Sequence, residues 1–252
     1  MKDSYLHWIS SEKHSVRISE IDQHGTMSFE ALLDVMQEVA WNNSEMLEFS
    51  VYDLLKNGLT WVVNRMQFHV KEYPKHHDVI TVKSWPSGVD RLFTYRDYQV
   101  LNEEGAEIVW GTSAWLMLDF EKRRPVSMKE HFTLEFPEGI EQMAMDKSKI
   151  RSGAMPENAE ETSTIKVGYS DIDVNKHANN ACYVNWSLDH FYNQIGQIKK
   201  PVYVDLMFKG ESFLGDQLTV FSSNTEAEEA MITIENNTKN TETFLMKLSF
   251  KG

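Results

Sequence analysis

Cysteine is almost missing from this chain: Cys182 is the only one in 252 residues. That excludes an intramolecular disulfide framework and suits a reducing compartment, so a cytoplasmic location is expected. As a small half-apolar side chain, Cys182 reads as packing rather than as a nucleophile. Long apolar runs are missing too, and none approaches the roughly 18 residues of a membrane span. The opening residues, MKDSYLHWISSEKHS, show no apolar h-region, so no secretory signal is expected. Positive charge is scarce, with 25 Lys and Arg against 38 Asp and Glu and a net charge of −13. Nucleic acid, which calls for a basic surface, is therefore not an expected partner. The chain has no Cys/His spacing suited to a metal, no G-x-G-x-x-G and no phosphate loop, so neither metal nor cofactor is expected. His14, His69, His76 and His77 are scattered through strand-like and turn segments and read as surface or core residues. What is present is 41% hydrophobic and 12% aromatic residues, enough to bury one large core or two ordinary ones.

The most informative stretch runs from Asp171 to Trp186, DIDVNKHANNACYVNW. Asp173, Asn175 and His177 are spaced by two, which in an extended segment places them on one side. A helix-like run follows, with Tyr183, Val184, Trp186 and Leu188 apolar. A carboxylate, an amide and an imidazole beside a helix start suit hydrolysis of an activated carbonyl, which needs a proton acceptor for water and donors for the oxyanion. The plainer alternative is a capped helix start, with Asp173 or Asn175 satisfying backbone N–H groups.

The same pattern occurs twice. Glu20–Thr26, EIDQHGT, aligns with Asp171–His177, DIDVNKH, so that Asp22 meets Asp173, His24 meets Asn175 and Thr26 meets His177. Apolar alternation precedes each copy (Val16 and Ile18; Ile165 and Val167) and a helical pattern follows. Phe29, Leu32, Leu33, Met36, Val39 and Ala40 form one apolar stripe in the first. Strands are then expected over Leu59–Phe68, Val79–Trp85, Leu92–Leu101 and Glu107–Leu118, and over Val202–Phe208, Gln217–Ser222, Ala230–Glu235 and Thr243–Phe250. Turns are expected at Asn102–Gly105 and at 236–240, and Gly88 near a strand end suggests a sharp bend. The pattern gives an α+β fold of two tandem units, each an antiparallel sheet wrapped around a long helix. Expected boundaries are 1–120, a linker at 121–162, and 163–252. The alternation of Phe132, Leu134 and Phe136 suggests that the linker packs against both domains.

The 171–186 stretch resembles the signature D-[LI]-D-V-N-x-H-x-N-N-x-x-Y-x-x-W of the plant and bacterial acyl-acyl-carrier-protein (acyl-ACP) thioesterases, matching every fixed letter. Leu59–Met66, LTWVVNRM, is similar to that family's L-x-W-V-V-x-R-M segment, so the resemblance touches both halves. It implies two hotdog domains and hydrolysis of a fatty acyl-ACP thioester to free fatty acid and carrier thiol. It also implies a catalytic glutamate within R-R-E-C-x-x-D. The matching segment here is Lys209–Asp216, KGESFLGD, in which Glu211 matches and Ser212 replaces the cysteine. That substitution counts against an obligatory cysteine nucleophile.

The catalytic set so implied is Asp173, Asn175, His177 and Glu211. Aligning KHHDVITV (75–82) with FLGDQLTV (213–220) sets Tyr73 against Glu211, so the first copy keeps only Asp22 of the four. A constellation that acts as a unit loses most of its effect when members are lost, which assigns the chemistry to the second copy. The first is then free to hold the acyl chain, with Phe29, Met36, Trp61 and Met66 as candidate tunnel residues or ordinary core. In the expected mechanism Glu211 is the base for water or attacks directly, and Asp173 orients the assembly. Asn175 positions water or the oxyanion, and His177 passes a proton toward the thiolate. Helix-start amides near Asn179 and Asn180 favour negative charge. The expected partner is an acyl carrier protein bearing an acyl-phosphopantetheine. Such carriers are acidic, so docking on this acidic chain needs a local basic patch, either Lys122–Arg124 or Lys199–Lys200. A hydratase, an acyl-CoA thioesterase and a non-catalytic acyl-binding sensor are the alternatives, and monomer and homodimer are both compatible.

Overall fold

A computed structural model describes residues 8–132, 136–138, 140, 143, 145–146, 162–195, 199–223 and 228–250. The chain forms two compact units, Met1–Asp146 and Lys147–Gly252. In the first unit the strands are β1 (Ser10–Ser15), β2 (Leu59–Val70), β3 (Val79–Asp90), β4 (Phe93–Leu101), β5 (Glu107–Asp119) and β6 (Pro125–Val126). The antiparallel order is β1-β3-β4-β5-β2, with β6 on β5. Helix α1 (Phe29–Met46) packs against β3 and β1, and α2 (Val51–Leu55) and α3 (Met128–His131) are short. The second unit holds β7 (Ser163–Lys166), α4 (Asn180–Ile195), β8 (Tyr203–Phe208), β9 (Gln217–Ser223), β10 (Glu229–Asn236) and β11 (Thr241–Ser249). Its order, β8-β11-β10-β9-β7, is that of the first unit with each strand replaced by its counterpart.

The long helices form because their apolar residues recur every three or four positions. In α1, Phe29, Leu32, Leu33, Met36, Val39 and Ala40 are buried, together with Asn43. Ser28 caps it, its hydroxyl accepting the Ala31 N–H at 3.2 Å. Asn43 is satisfied in the core: its amide donates to Trp8 O and Ser10 Oγ and its oxygen accepts from Arg96 Nη1 at 2.8 Å. Burial lowers the Arg96 guanidinium to a pKa of about 10.

Every strand expected from alternation is present, with shifted ends. The largest extension is β3, read to Trp85 and observed to Asp90. Its pairing with β4 shifts register between Pro86 and Gly88, a bulge that bends the strand where Gly88 suggested it. Ile18 departs from its expected place. The strand ends at Ser15, Val16 is buried, and Ile18 lies 69% exposed on a 3-10 turn (Ile18–Glu20), because the period of two stops when the chain turns at Arg17. Of the residues read as linker, Phe132 packs edge-on to Phe49 and Phe136 edge-on to Trp8. The Gln67 amide exchanges two hydrogen bonds with the Asp146 backbone, and Met143 N–H donates to Asp97. Leu134 and residues 147–161 lie outside the described residues.

Candidate active site

The two units repeat one another bond by bond around the motif. In the second, Asp173 N–H donates to His177 O and Lys176 N–H to Asp173 O, both at 3.0 Å. In the first, Asp22 N–H donates to Thr26 O and Gly25 N–H to Asp22 O, again at 3.0 Å. The bond tying each motif to its distant segment also recurs: Ala178 N to Ser212 O at 2.8 Å, and Met27 N to Pro74 O at 2.7 Å. Ser212 therefore corresponds to Pro74 and Glu211 to Tyr73, as the sequence alignment had them.

Asp173–His177 is not extended, which corrects the expected geometry. It is a tight turn closed by those two backbone bonds, with Lys176 left-handed at φ 67°. The turn forms because Asp173 Oδ1 accepts the Asn175 N–H at 2.8 Å, an Asx turn. Asp173 and His177 thus meet as partners across the base of a turn rather than as alternate residues of a strand. Asn175 sits at the exposed tip, its amide 3.4 Å from Asp173 Oδ2.

His177 lies between two carboxylates. Its Nδ1 is 3.8 Å from Asp173 Oδ1 and its Nε2 is 3.7 Å from Glu211 Oε1. The side chains are 21%, 22% and 26% exposed for Asp173, His177 and Glu211, open enough for water yet sheltered by the fold. Separations of this length exceed a direct hydrogen bond and accommodate a shared water. The arrangement can take a proton from water at one carboxylate and relay another through the imidazole. Among the described residues, no cluster of His, Cys, Asp and Glu is arranged to hold a metal ion.

Asn179 caps α4, its Oδ1 accepting the Ala181 N–H at 3.1 Å, so the cap falls on neither Asp173 nor Asn175. Asn180, half-buried, begins the helix. Cys182 is half-buried with its thiol 3.7 Å from Asp171 O. Ser212 is fully buried and its Oγ accepts from Asn236 Nδ2, so it serves the loop's framework. Of the candidate acyl-binding residues, Phe29, Met36 and Met66 are buried in the first unit. Trp61 instead packs against a smaller cluster of Leu54, Leu59, Met117 and Met128, donating to Phe49 O at 2.8 Å.

The framework behind Glu211 is built from residues distant in sequence and leaves no trace in its spacing. Tyr183 accepts the Ser212 N–H at 2.9 Å. Lys239 Nζ donates to Glu211 O at 2.6 Å and lies 3.8 Å over the Phe213 ring. For Asp216, burial alone would raise the carboxyl pKa. The Phe213 N–H, the Asn236 amide and Lys239 more than offset this, and the pKa falls below its ordinary value.

Comparison with known proteins settles the family. The acyl-ACP thioesterase N-terminal domain matches residues 8–136 and the acyl-ACP thioesterase C-terminal domain matches residues 154–250. The chain belongs to the acyl-ACP thioesterase family. Palmitoyl-acyl carrier protein thioesterase of Gossypium hirsutum, a chloroplastic protein, is 31% identical over 235 residues, covering 86% of this chain and 56% of that one. Oleoyl-acyl carrier protein thioesterase 1 of Arabidopsis thaliana, also chloroplastic, is 25% identical over 229 residues, covering 85% and 63%. This family member thus spans less than two thirds of either curated relative. Among solved structures, an acyl-ACP thioesterase of Bacteroides thetaiotaomicron superposes with a TM-score of 0.82 at 24% identity, covering 98% of this chain and 99% of that one. The 12:0-ACP thioesterase of Umbellularia californica gives 0.84 at 18% identity, covering 97% of each. At these identities the likeness establishes the fold, two hotdog units of the α+β class.

Proposed function

We propose that this chain hydrolyses fatty acyl-ACP thioesters to free fatty acid and carrier thiol. The observation that carries the reading is His177 held between Asp173 and Glu211 in the second unit, at 3.8 and 3.7 Å. Family membership supports the substrate class.

In the proposed reaction one carboxylate, Glu211 in our assignment, takes a proton as water oxygen adds to the thioester carbonyl. Collapse of the tetrahedral intermediate breaks the C–S bond, and the proton passes by way of His177 to the departing thiolate. Asp173 orients His177, and Asn175 with the α4 start near Asn179 and Asn180 offers donors to the oxyanion. The reaction uses only side chains and water, so no cofactor or metal is assigned to it. The C-terminal domain, 163–252, is assigned the chemistry. The N-terminal domain, 1–120, is assigned acyl-chain binding with Phe29, Met36, Trp61 and Met66 as candidates, and 121–162 is the linker. The partner is an acyl carrier protein bearing an acyl-phosphopantetheine. The lone cysteine fits a reducing compartment such as the cytoplasm, and no helix among the described residues is long and apolar enough to cross a membrane. Monomer and homodimer both suit a tandem chain.

One observation favours a second carrier. The net charge of −13 opposes docking of an acidic carrier protein over a broad surface, whereas coenzyme A, although anionic too, is small enough for a local basic site to suffice. Turnover of matched acyl-ACP and acyl-CoA thioesters separates the two. The test of the site is acyl release by His177→Ala and Glu211→Ala, each expected to lose on the order of 100-fold or more. Asp22→Asn, which alters the corresponding carboxylate of the first repeat, is expected to stay within about twofold, since its partners are replaced there. Near-normal rates in both second-repeat variants would remove the site assignment.

A further inference from the structure

We infer that Tyr183 is a positioning residue for Glu211: its hydroxyl, by accepting the Ser212 backbone N–H, sets the direction in which the Glu211 carboxylate meets His177. This rests on the hydrolytic reading above and adds to it the part that aims the base.

Glu211 is carried on a short segment with no regular structure of its own, between β8 and β9. Ser212, the next residue, is fully buried and bonded on every polar atom given for it. Its carbonyl accepts from Ala178 N at 2.8 Å, its N–H donates to Tyr183 Oη at 2.9 Å, and its Oγ accepts from Asn236 Nδ2 at 3.2 Å. The Ala178 bond ties the following peptide, Ser212–Phe213, to the Asp173–His177 turn. The Tyr183 bond ties the Glu211–Ser212 peptide itself to α4. Tyr183 cannot give way easily, because its ring is buried against Trp186, Phe208 and Phe244 with centroids 5.3, 6.2 and 5.5 Å distant. The Glu211–Ser212 peptide, and with it the Glu211 Cα–Cβ direction, is therefore held on its N–H by Tyr183 and on its carbonyl by Lys239 Nζ at 2.6 Å.

The first repeat supplies an internal control. Met27 N bonds Pro74 O just as Ala178 N bonds Ser212 O, so Pro74 stands where Ser212 does. Proline has no N–H to satisfy. Counting from the same bond, the position of Tyr183 is held by Leu32, which has no hydroxyl and is buried. Donor and acceptor are absent together in the repeat that has Tyr73 in place of Glu211. They are present together in the repeat that has the carboxylate. The bond is thus confined to the repeat that carries the carboxylate.

The test uses steady-state kinetics of the full chain on a palmitoyl-ACP thioester. Tyr183→Phe keeps the ring and deletes the hydroxyl. Ser212→Pro deletes the N–H at a place where the other repeat accepts proline. Each is expected to lower kcat on the order of 10- to 100-fold while KM stays within about threefold, because a misaimed base costs chemistry rather than binding. The double variant should fall no further than Ser212→Pro alone, since the bond lost in Tyr183→Phe is already lost there, together with the Asn236 contact to Ser212 Oγ. A kcat within about threefold of wild type for Tyr183→Phe, or losses that multiply in the double variant, overturns the inference. If Tyr183→Phe does not fold, Ser212→Pro decides by the same kcat criterion. Wild type and Glu211→Ala are measured alongside: no acyl release by wild type overturns the hydrolytic reading itself, and full activity in Glu211→Ala overturns Glu211 as the base. Loss there with full activity in Tyr183→Phe overturns only the positioning role.

Discussion

Lys176 and Gly25 occupy the same left-handed position of the same turn, at φ 67° and 74°, one in each repeat. The first repeat uses the residue the turn prefers, and the second does not. A lysine there carries strain that glycine avoids, of roughly 1 kcal/mol or more, less the greater chain entropy glycine loses on folding. Such strain is a recurrent feature of functional turns, and here it adjoins the proposed site residues Asp173 and His177. Lys176→Gly is therefore expected to stabilise the protein by about 0.5 to 1 kcal/mol. Chemical denaturation reads this directly, and a lower midpoint at unchanged slope would refute it.

The interior of the first sheet allows one sharp prediction of the opposite sign. Gly111 on β5 faces Phe68 of β2 in register, and a Cβ there would lie 2.2 Å from Phe68 Cδ1 and 2.6 Å from Gln67 O. Phe68 is fully buried against Phe29 and Tyr98, so its ring has nowhere to move. Gly111→Ala is expected to destabilise by about 3 kcal/mol, at the upper end of overpacking costs. Loss of less than about 1 kcal/mol in a denaturant melt would show that the ring is freer than its contacts indicate.

Asp97 makes stability depend on pH. Burial raises its carboxyl above the ordinary 3.8, a shift only partly offset by the Met143 N–H at 2.7 Å and nearby Arg96, while Asp97 Oδ1 is left without a hydrogen-bond partner among the described residues. A folded-state pKa above the unfolded one means that the folded protein holds this proton more tightly. The group's contribution is then full below pH 3.8 and declines as pH rises toward the raised folded value. Asp97→Asn, whose amide oxygen can still accept from Met143, should abolish that decline. The gain in melting temperature over wild type is expected to be larger at pH 8 than at pH 4, and calorimetry at both values checks it. An equal or reversed difference would count against a charge held at a cost.

How far the site could be read beforehand depends on the range of the interaction. Asp173 and His177 were visible because they fall within one short turn, although an extended segment was the wrong reason for their meeting. Spacing alone cannot distinguish alternation along a strand from closure across a turn, and the Asx bond of Asp173 chooses the turn. Ile18 misled in the same way, since apolar spacing continues in the sequence past the point where the strand stops. Tyr183 was legible only as an apolar helix residue. Its hydroxyl has a purpose only once Ser212, distant in sequence, is brought against α4.

The sequence by itself determined the duplication, the helix stripes and the succession of strands along the chain. These follow from local periodicity and from comparing one half of the chain with the other, whereas Glu211 was singled out by the resemblance to a family segment. Tertiary structure alone decided that His177 stands between two carboxylates and that a buried tyrosine holds the peptide bearing one of them. Contacts between residues far apart in the chain leave no periodic trace. They exist only after the sheet has closed around its helix and fixed where each loop must end.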